Sequence, residues 1–209
     1  MSSPWKLLLQ QSLRRNERLR HSKYFQIATV RPDGRPANRS VVYRGFLWDT
    51  DHITFVTDAR SNKTTDLSSN PWAEIAWYFP ETREQYRILG KVTVITKHTP
   101  AEEKLGRART GAWRAMSDPG RQQFTWPFPG LPRATDEEDE AAFKNAPPSK
   151  DDPVADPFCL CFIQVEEVDL LNLKSNERKK FVVTRGNEES GDNRGIQAAV
   201  EWIESDVNP

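Results

Sequence analysis

The chain is poor in the residues from which several common kinds of site are built. Of its 209 residues only two are cysteines and three are histidines. His21, His52 and His98 are scattered without metal-ligand spacing, which argues against zinc hydrolase chemistry, and no metal site is expected. Cys159 and Cys161 alternate with Leu160 in the apolar run Phe158 to Ile163, which reads as a β-strand with both thiols buried, free and on one face. An excess of charge is also missing. Acidic and basic residues number 30 each, so nothing global favours nucleic acid or an anionic membrane, and any anion site must be local. No apolar run is long enough to cross a bilayer, and Met1 to Trp5 lacks a charged start followed by an apolar stretch. A soluble, unsecreted, cytoplasmic protein is expected, with an organellar address in a longer precursor left open. The length suits a single domain over residues 1–209.

The patterning predicts a mainly β fold. Pro4 to Arg20 reads as an amphipathic helix, with Ser3 as cap and Pro4 in the first turn. Tyr24 to Val30 alternates as a strand up to the turn Pro32-Asp33-Gly34-Arg35-Pro36, and Ser40 to Leu47 and Ile53 to Thr57 read as the next two strands. Ser61 caps a short helix, Asn62 to Ser69, stopped by Asn70-Pro71. Trp72 to Phe79 and Gln85 to Ile95 are strong strands, the second bent or bulged at Gly90. Pro100 to Met116 is helical. Residues 127–157 are rich in Pro, Asp and Glu and form a long surface loop, whose acidic run Asp136 to Glu140 is a solvated segment. Phe158 to Val165, Val168 to Leu173 and Lys180 to Thr184 give three more strands, followed by a polar stretch and a final short helix through Trp202. An antiparallel meander with accessory helices suggests a closed or half-open β-barrel.

Two segments carry the chemistry. On Asn38 to Arg44, side-chain alternation puts Arg39 and Tyr43 on one face and Ser40, Val42 and Arg44 on the other. Arg60-Ser61-Asn62-Lys63 sits where a strand hands over to a helix, so backbone N–H groups, a hydroxyl and a cation converge there on an anion. Taken alone, such cations are also commonplace on a solvated surface.

The order Asn38-Arg39-Ser40-Val41-Val42-Tyr43-Arg44-Gly45-Phe46, then Thr57 to Lys63, then Trp77-Tyr78-Phe79 and Arg83 to Arg87 resembles the pyridoxamine 5′-phosphate oxidase family. It is most similar to the FMN-binding, oxidase-like branch of cyanobacteria and plants. The resemblance runs from the leading helix to Pro209 and implies an FMN-binding split β-barrel, assembled as a homodimer with FMN at the subunit interface. By the same resemblance Arg39 and Lys63 bind the FMN phosphate, with Ser61 and Asn62 beside them; Asn62 replaces an arginine. Ser40, Val41, Val42 and Arg44 lie along the flavin, Thr57 touches it, and Gln85 reaches it from the second subunit. Arg44, in place of a lysine, and Arg178, in place of a histidine, are the substrate-side candidates, with Lys180 standing for an FMN arginine and Ser117 near a further contact.

The resemblance implies an oxidoreductase acting on vitamin B6 phosphates, with hydride transfer to FMN and reoxidation by oxygen or another acceptor. No catalytic side chain is singled out. The family's grip on substrate phosphate is replaced by Pro100, Lys104 and Ala108, and Arg87, Arg107, Arg109 and Arg178 remain as other candidate anion ligands, each more simply read as a surface arginine. Two further readings stand beside the enzyme: a flavin-binding or flavin-sensing protein without B6 oxidase activity, and a cofactor-free split-barrel interaction module.

Overall fold

The structure, a computed structural model, describes residues 3–133, 141–184 and 201–209. The acidic run at 136–140 and the polar stretch 185–200 lie outside the described residues. Helix α1 (Pro4–Arg15) opens as expected after Ser3 with Pro4 in its first turn. It buries Trp5, Leu9 and Ser12 on one stripe. It stops short of Arg20 because buried Asn16 turns away to other work. The Asn16 amide donates to the Ser12 carbonyl (2.8 Å) and to Thr82 Oγ1 (3.1 Å), and its side-chain oxygen accepts the Glu81 N–H (2.9 Å). A single 3₁₀ turn, Arg20–Lys23, then leads into the sheet.

Strands β1 (Tyr24–Val30) and β2 (Pro36–Val42) form the expected hairpin, with Gly34 at φ +83° in its turn. The strand expected over Ser40 to Leu47 is corrected. β2 begins earlier and ends at Val42, and the chain rounds a corner at Gly45, whose φ of +103° suits only a residue without Cβ. Phe46 makes one isolated bridge to Ile53 before β3 (Ile53–Asp58). Helix α2 (Asn62–Ser69), β4 (Trp72–Phe79) and β5 (Glu84–Ile95) follow closely as read from the sequence.

The two strands expected over Phe158 to Leu173 are one, β6 (Phe158–Asn172). β5 pairs with it along almost its whole length, and the register shifts between Leu89 and Gly90, so Leu89 faces Glu167 while Gly90 faces Val165. Glu166 is therefore the extra residue of a bulge, and the paired acids that look like a break in the sequence mark a bend. On its other edge β6 pairs with β3 through Phe158 to Ile163 and with β7 (Glu177–Thr184) through Glu167 to Asn172. The order β3-β6-β5-β4-β1-β2 is closed into a barrel where the Arg44 N–H donates to the Thr54 carbonyl (2.9 Å) and the Thr54 N–H to Gly45 (2.8 Å). The barrel is split, because β7 and the strand beyond it continue the sheet outward.

The final helix expected through Trp202 is also corrected. Residues Glu201–Val207 are β8, antiparallel to β7. An isolated helix this short is marginal in water, whereas the open edge of β7 offers a full ladder of partners. Trp202 packs edge-on against Trp5 of α1.

The barrel interior holds Phe25, Ile27, Phe55, Ile75, Trp77 and Ile88, all essentially inaccessible. Cys159 and Cys161 are buried and free, as expected. Outside, α3 (Lys104–Arg114) covers β3 and β6, packing Ala108 and Ala112 on Leu160 and Val56 and seating Trp113 against Phe158. Helix α4 (Asp118–Gln122) follows. Within the stretch expected as a loop, residues 127–133 and 143–157 carry neither helix nor strand, and Phe143 packs its ring, tilted, against Trp126. Among the described residues no helix is long and apolar enough to cross a membrane, and no group of three His, Cys, Asp or Glu is placed to hold a metal.

Gly90 is where β5 and β6 approach most demandingly, since an added Cβ would lie 2.2 Å from the Gln164 carbonyl oxygen and 2.8 Å from Ile163 Cγ1. Gly90→Ala is expected to cost about 1–3 kcal/mol, the usual range for overpacking. Urea unfolding checks this through a lowered midpoint, and an unchanged midpoint would contradict the close approach.

Candidate functional site

Helix α2 stoppers one mouth of the barrel, pressing Leu67 into the core. It starts directly after β3, so Thr57 near the end of that strand faces the helix's first turn. Lys63 Nζ donates to Thr57 Oγ1 (2.7 Å) and to Ser61 Oγ (3.1 Å). Ser61 sits at the N-cap as expected, but its hydroxyl serves Lys63 and Thr57 rather than capping the helix. Arg39 comes to the same mouth from β2, in the register row of Ile27 and Ile75 on the sheet's inner face. Its Nη1 donates to Thr29 Oγ1 (2.6 Å) and its Nη2 lies 3.2 Å from Asp66 Oδ2. Burial pushes the Lys63 ammonium below its ordinary pKa, and the nearby Arg39 guanidinium pushes the same way; Cys161, Asp58 and Asp66 pull it back.

Two cations and two hydroxyls therefore converge beside the free N–H groups of a helix's first turn, with one carboxylate to offset them. That donor set fits a phosphate group. Arg60, read with Lys63 as one basic segment, does not join it. Its guanidinium folds back on Asp58 (Nη2 to Oδ2, 2.7 Å) and donates to the Trp126 carbonyl (3.0 Å). Asn62 is exposed at the helix start.

The flavin-strand candidates divide. Val41 is a core residue, 7% exposed, and Ser40 is exposed on the outer side of β2. Val42 and Arg44 line a cleft of about 930 Å³ between the Tyr43 to Trp48 segment and α3. Lys104, Arg107 and Ala108 of α3 line the other wall, with Lys23 at the rim and Leu160 and Met116 at its apolar base. Lys104 Nζ sits 4.2 Å over the Trp48 ring, joining the two walls. Pro100 lies outside the lining. Arg109, one face round the helix from Arg107, is buried and bonds the Phe158 and Ala155 carbonyls (2.9 Å each), tying α3 to the barrel.

Gln85 occupies a third place. It pairs with Tyr78 and Leu171 on the outer face of the sheet, opposite to the face carrying Arg39, and Arg178 follows in the same row. Arg178 is engaged by Asp169, Nε to Oδ1 at 2.9 Å and Nη2 to Oδ2 at 2.6 Å, and the contact holds the Asp169 carboxyl below its ordinary pKa. Arg87 pairs with Glu74 (2.7 Å) and Lys180 with Glu167 (3.1 Å) on the same face. Ser117 sits at the N-cap position of α4 without a side-chain capping bond, next to cleft residue Met116.

Thr29 and Asp66 escaped the sequence reading as site residues, whereas Arg107, read there as a candidate anion ligand, does line the cleft. A signal existed only for Asp66, three residues after Lys63 and hence on the same helical face.

Residues 2–96 match the family described as pyridoxamine 5′-phosphate oxidase, FMN-binding domain. The chain is 42% identical over 182 residues to pyridoxine/pyridoxamine 5′-phosphate oxidase 2 of Arabidopsis thaliana, covering 86% of this chain and 88% of that one. Against the pyridoxine/pyridoxamine 5′-phosphate oxidase of Rhodopseudomonas palustris the identity is 34% over 105 residues, and the match spans about half of each protein, 48%. In three dimensions it is similar to a pyridoxamine 5′-phosphate oxidase-related, FMN-binding protein of Nostoc punctiforme, with a TM-score of 0.85, 39% identity and 100% of both chains covered. On this agreement of sequence, fold and donor set, the chain belongs to the pyridoxamine 5′-phosphate oxidase family of split-barrel proteins, and its cofactor is FMN.

Proposed function

We propose that the protein is an FMN-dependent oxidoreductase, active as a homodimer, that takes a small anionic substrate of the B6-phosphate kind into the cleft beside Arg44. The observation that carries this reading is the convergence of Arg39, Lys63, Thr57 and Ser61 at the barrel mouth, a set suited to a phosphate dianion. In this reading Arg39 and Lys63 neutralise the FMN phosphate, Asn62 adds an uncharged donor, and the Thr57 and Ser61 hydroxyls orient it. The main chain of Ser40, Val41 and Val42 lies along the ring. FMN, when bound, supplies the acceptor for a hydride from the substrate. The protein's part is orientation and charge: Arg44, Lys104 and Arg107 hold the substrate anion, and the apolar base of Leu160 and Met116 keeps water from its other side. No side chain here is required as a base.

Hydrogen bonds to charged groups contribute about 1.5–3 kcal/mol each. Arg39→Gln with Lys63→Gln is therefore expected to weaken FMN binding by about a hundredfold or more while leaving riboflavin, which has no phosphate, nearly untouched. Fluorescence titration of the apoprotein with both flavins decides it, and undiminished FMN affinity in the double variant removes the phosphate assignment.

Gln85 and Arg39 lie on opposite faces of one sheet, which supports Gln85 acting on the flavin of a second copy. Light scattering of the FMN-loaded protein should give a dimer. A monomer carrying stoichiometric FMN refutes the shared site.

The substrate is tested directly. Pyridoxine and pyridoxamine 5′-phosphates are expected to yield pyridoxal 5′-phosphate with consumption of oxygen, and Lys104→Gln should raise KM by about tenfold for loss of one charged contact. A second reading, flavin binding without B6 turnover, is favoured by one observation: Arg178, the other substrate-side candidate, is already held at two nitrogens by Asp169. A full flavin spectrum with neither ester oxidised selects that reading.

A further inference from the structure

A carboxylate is an unexpected neighbour for a phosphate site, yet Asp66 is 3% exposed and lies among its cations. Asp66 Oδ2 accepts from Thr29 Oγ1 at 2.7 Å and from Arg39 Nη2 at 3.2 Å, while Thr29, itself 2% exposed, accepts from Arg39 Nη1 at 2.6 Å. The three groups close a ring. Arg39 Nη1 also points at the Ile27 and Ala37 carbonyls, 3.4 Å each. A guanidinium has five N–H donors in one rigid plane. Every bond that anchors this one among the described residues runs through Nη1 or Nη2, so the Nε edge is the side left to meet a ligand.

The opposing effects differ in kind. Charge alone makes Asp66 unfavourable for a bound dianion. Nor is stability a sufficient reason for it, since a buried ion pair is often no better than well-packed apolar groups. What the ring does supply is a fixed aim for Arg39, whose long side chain would otherwise lose rotamer freedom on meeting a ligand. Helical spacing makes the arrangement economical. Lys63 and Asp66 are one turn apart on α2, so the element that brings the second cation to the mouth also brings the carboxylate that orients the first.

We propose that Asp66, through Thr29, is a positioning residue of the cofactor site that holds the Arg39 guanidinium with its Nε edge presented to the FMN phosphate. The inference rests on the assignment of that phosphate to Arg39 and Lys63. The readout is the ratio of FMN to riboflavin affinity in the apoprotein, which isolates the phosphate contribution from ring binding and from turnover.

Asp66→Ala is expected to lower that ratio by about tenfold, because Arg39 is released. Asp66→Asn keeps an acceptor for Thr29 and Arg39 and removes the repelling charge, so its ratio should equal or exceed that of the unaltered protein. In an Arg39→Gln background, Asp66→Ala should change the ratio no further. The proposal is overturned if Asp66→Ala keeps the full ratio, if Asp66→Asn falls as far as Asp66→Ala, or if FMN and riboflavin weaken together. Thermal melting of each apoprotein identifies a variant that fails to fold; should Asp66→Ala be one, Thr29→Val, which removes the hydroxyl between Asp66 and Arg39, is expected to lower the ratio in its place, and a full ratio in Thr29→Val then overturns the proposal. If the unaltered protein itself shows no preference for FMN over riboflavin, the phosphate assignment fails. If it shows the preference and Asp66→Ala retains it, only the role of Asp66 fails.

Discussion

The architecture hangs on one strand that changes partners. β6 is hydrogen-bonded to β5 along nearly its whole length, but its other edge belongs first to β3 and then to β7. The bulge at Glu166 lets a single strand do both, by bending the ladder at the point of exchange. Upstream of the bend the sheet curls into a barrel; downstream it opens into the β7–β8 extension. Gly90 permits the bend, because the main chains there come closer than a side chain allows. The barrel mouth stoppered by α2, and the cleft roofed by α3, are both consequences of the upstream half closing on itself.

Much of the fold was legible because its cues are local. Trp72–Phe79 buries every second residue, as its alternation demands, and α2 is bounded by Ser61 at its N-cap position and by Asn70-Pro71. The misreadings fall where distant contacts override local pattern. Ser40 to Leu47 reads as one strand, yet Gly45 turns it through a corner that only closure of the barrel requires. Glu166-Glu167 looks like an interruption until β5 is laid beside it. The tail around Trp202 becomes a strand because β7 has an edge to offer, and nothing within seven residues announces that edge.

The site divides in the same way. Arg39 and Lys63 stand out by order and spacing, and the fold brings them to one mouth. Arg60 looked equivalent to Lys63 but turns back on Asp58, two residues away, which is a matter of side-chain geometry. Asp66 has the opposite history. A carboxylate one helical turn after a lysine ordinarily reads as a surface pair, and only the tertiary placement of β1 and β2 makes it a partner of Thr29 and Arg39. Lys104 and Arg107 face Arg44 across the cleft from a helix remote in sequence, so no local pattern links them.

The two thiols inside the barrel have a practical consequence. Burial pushes the Cys159 thiol up to about 11, and Cys161, wholly enclosed, in the same direction. The thiolate is the reactive species, so both sulfurs are chemically quiet while β3 and β6 remain zipped. Modification by an alkylating reagent then reports neither surface nor chemistry but the opening of that seam. The barrel carries its own clock for how often the strand that changes partners lets one of them go.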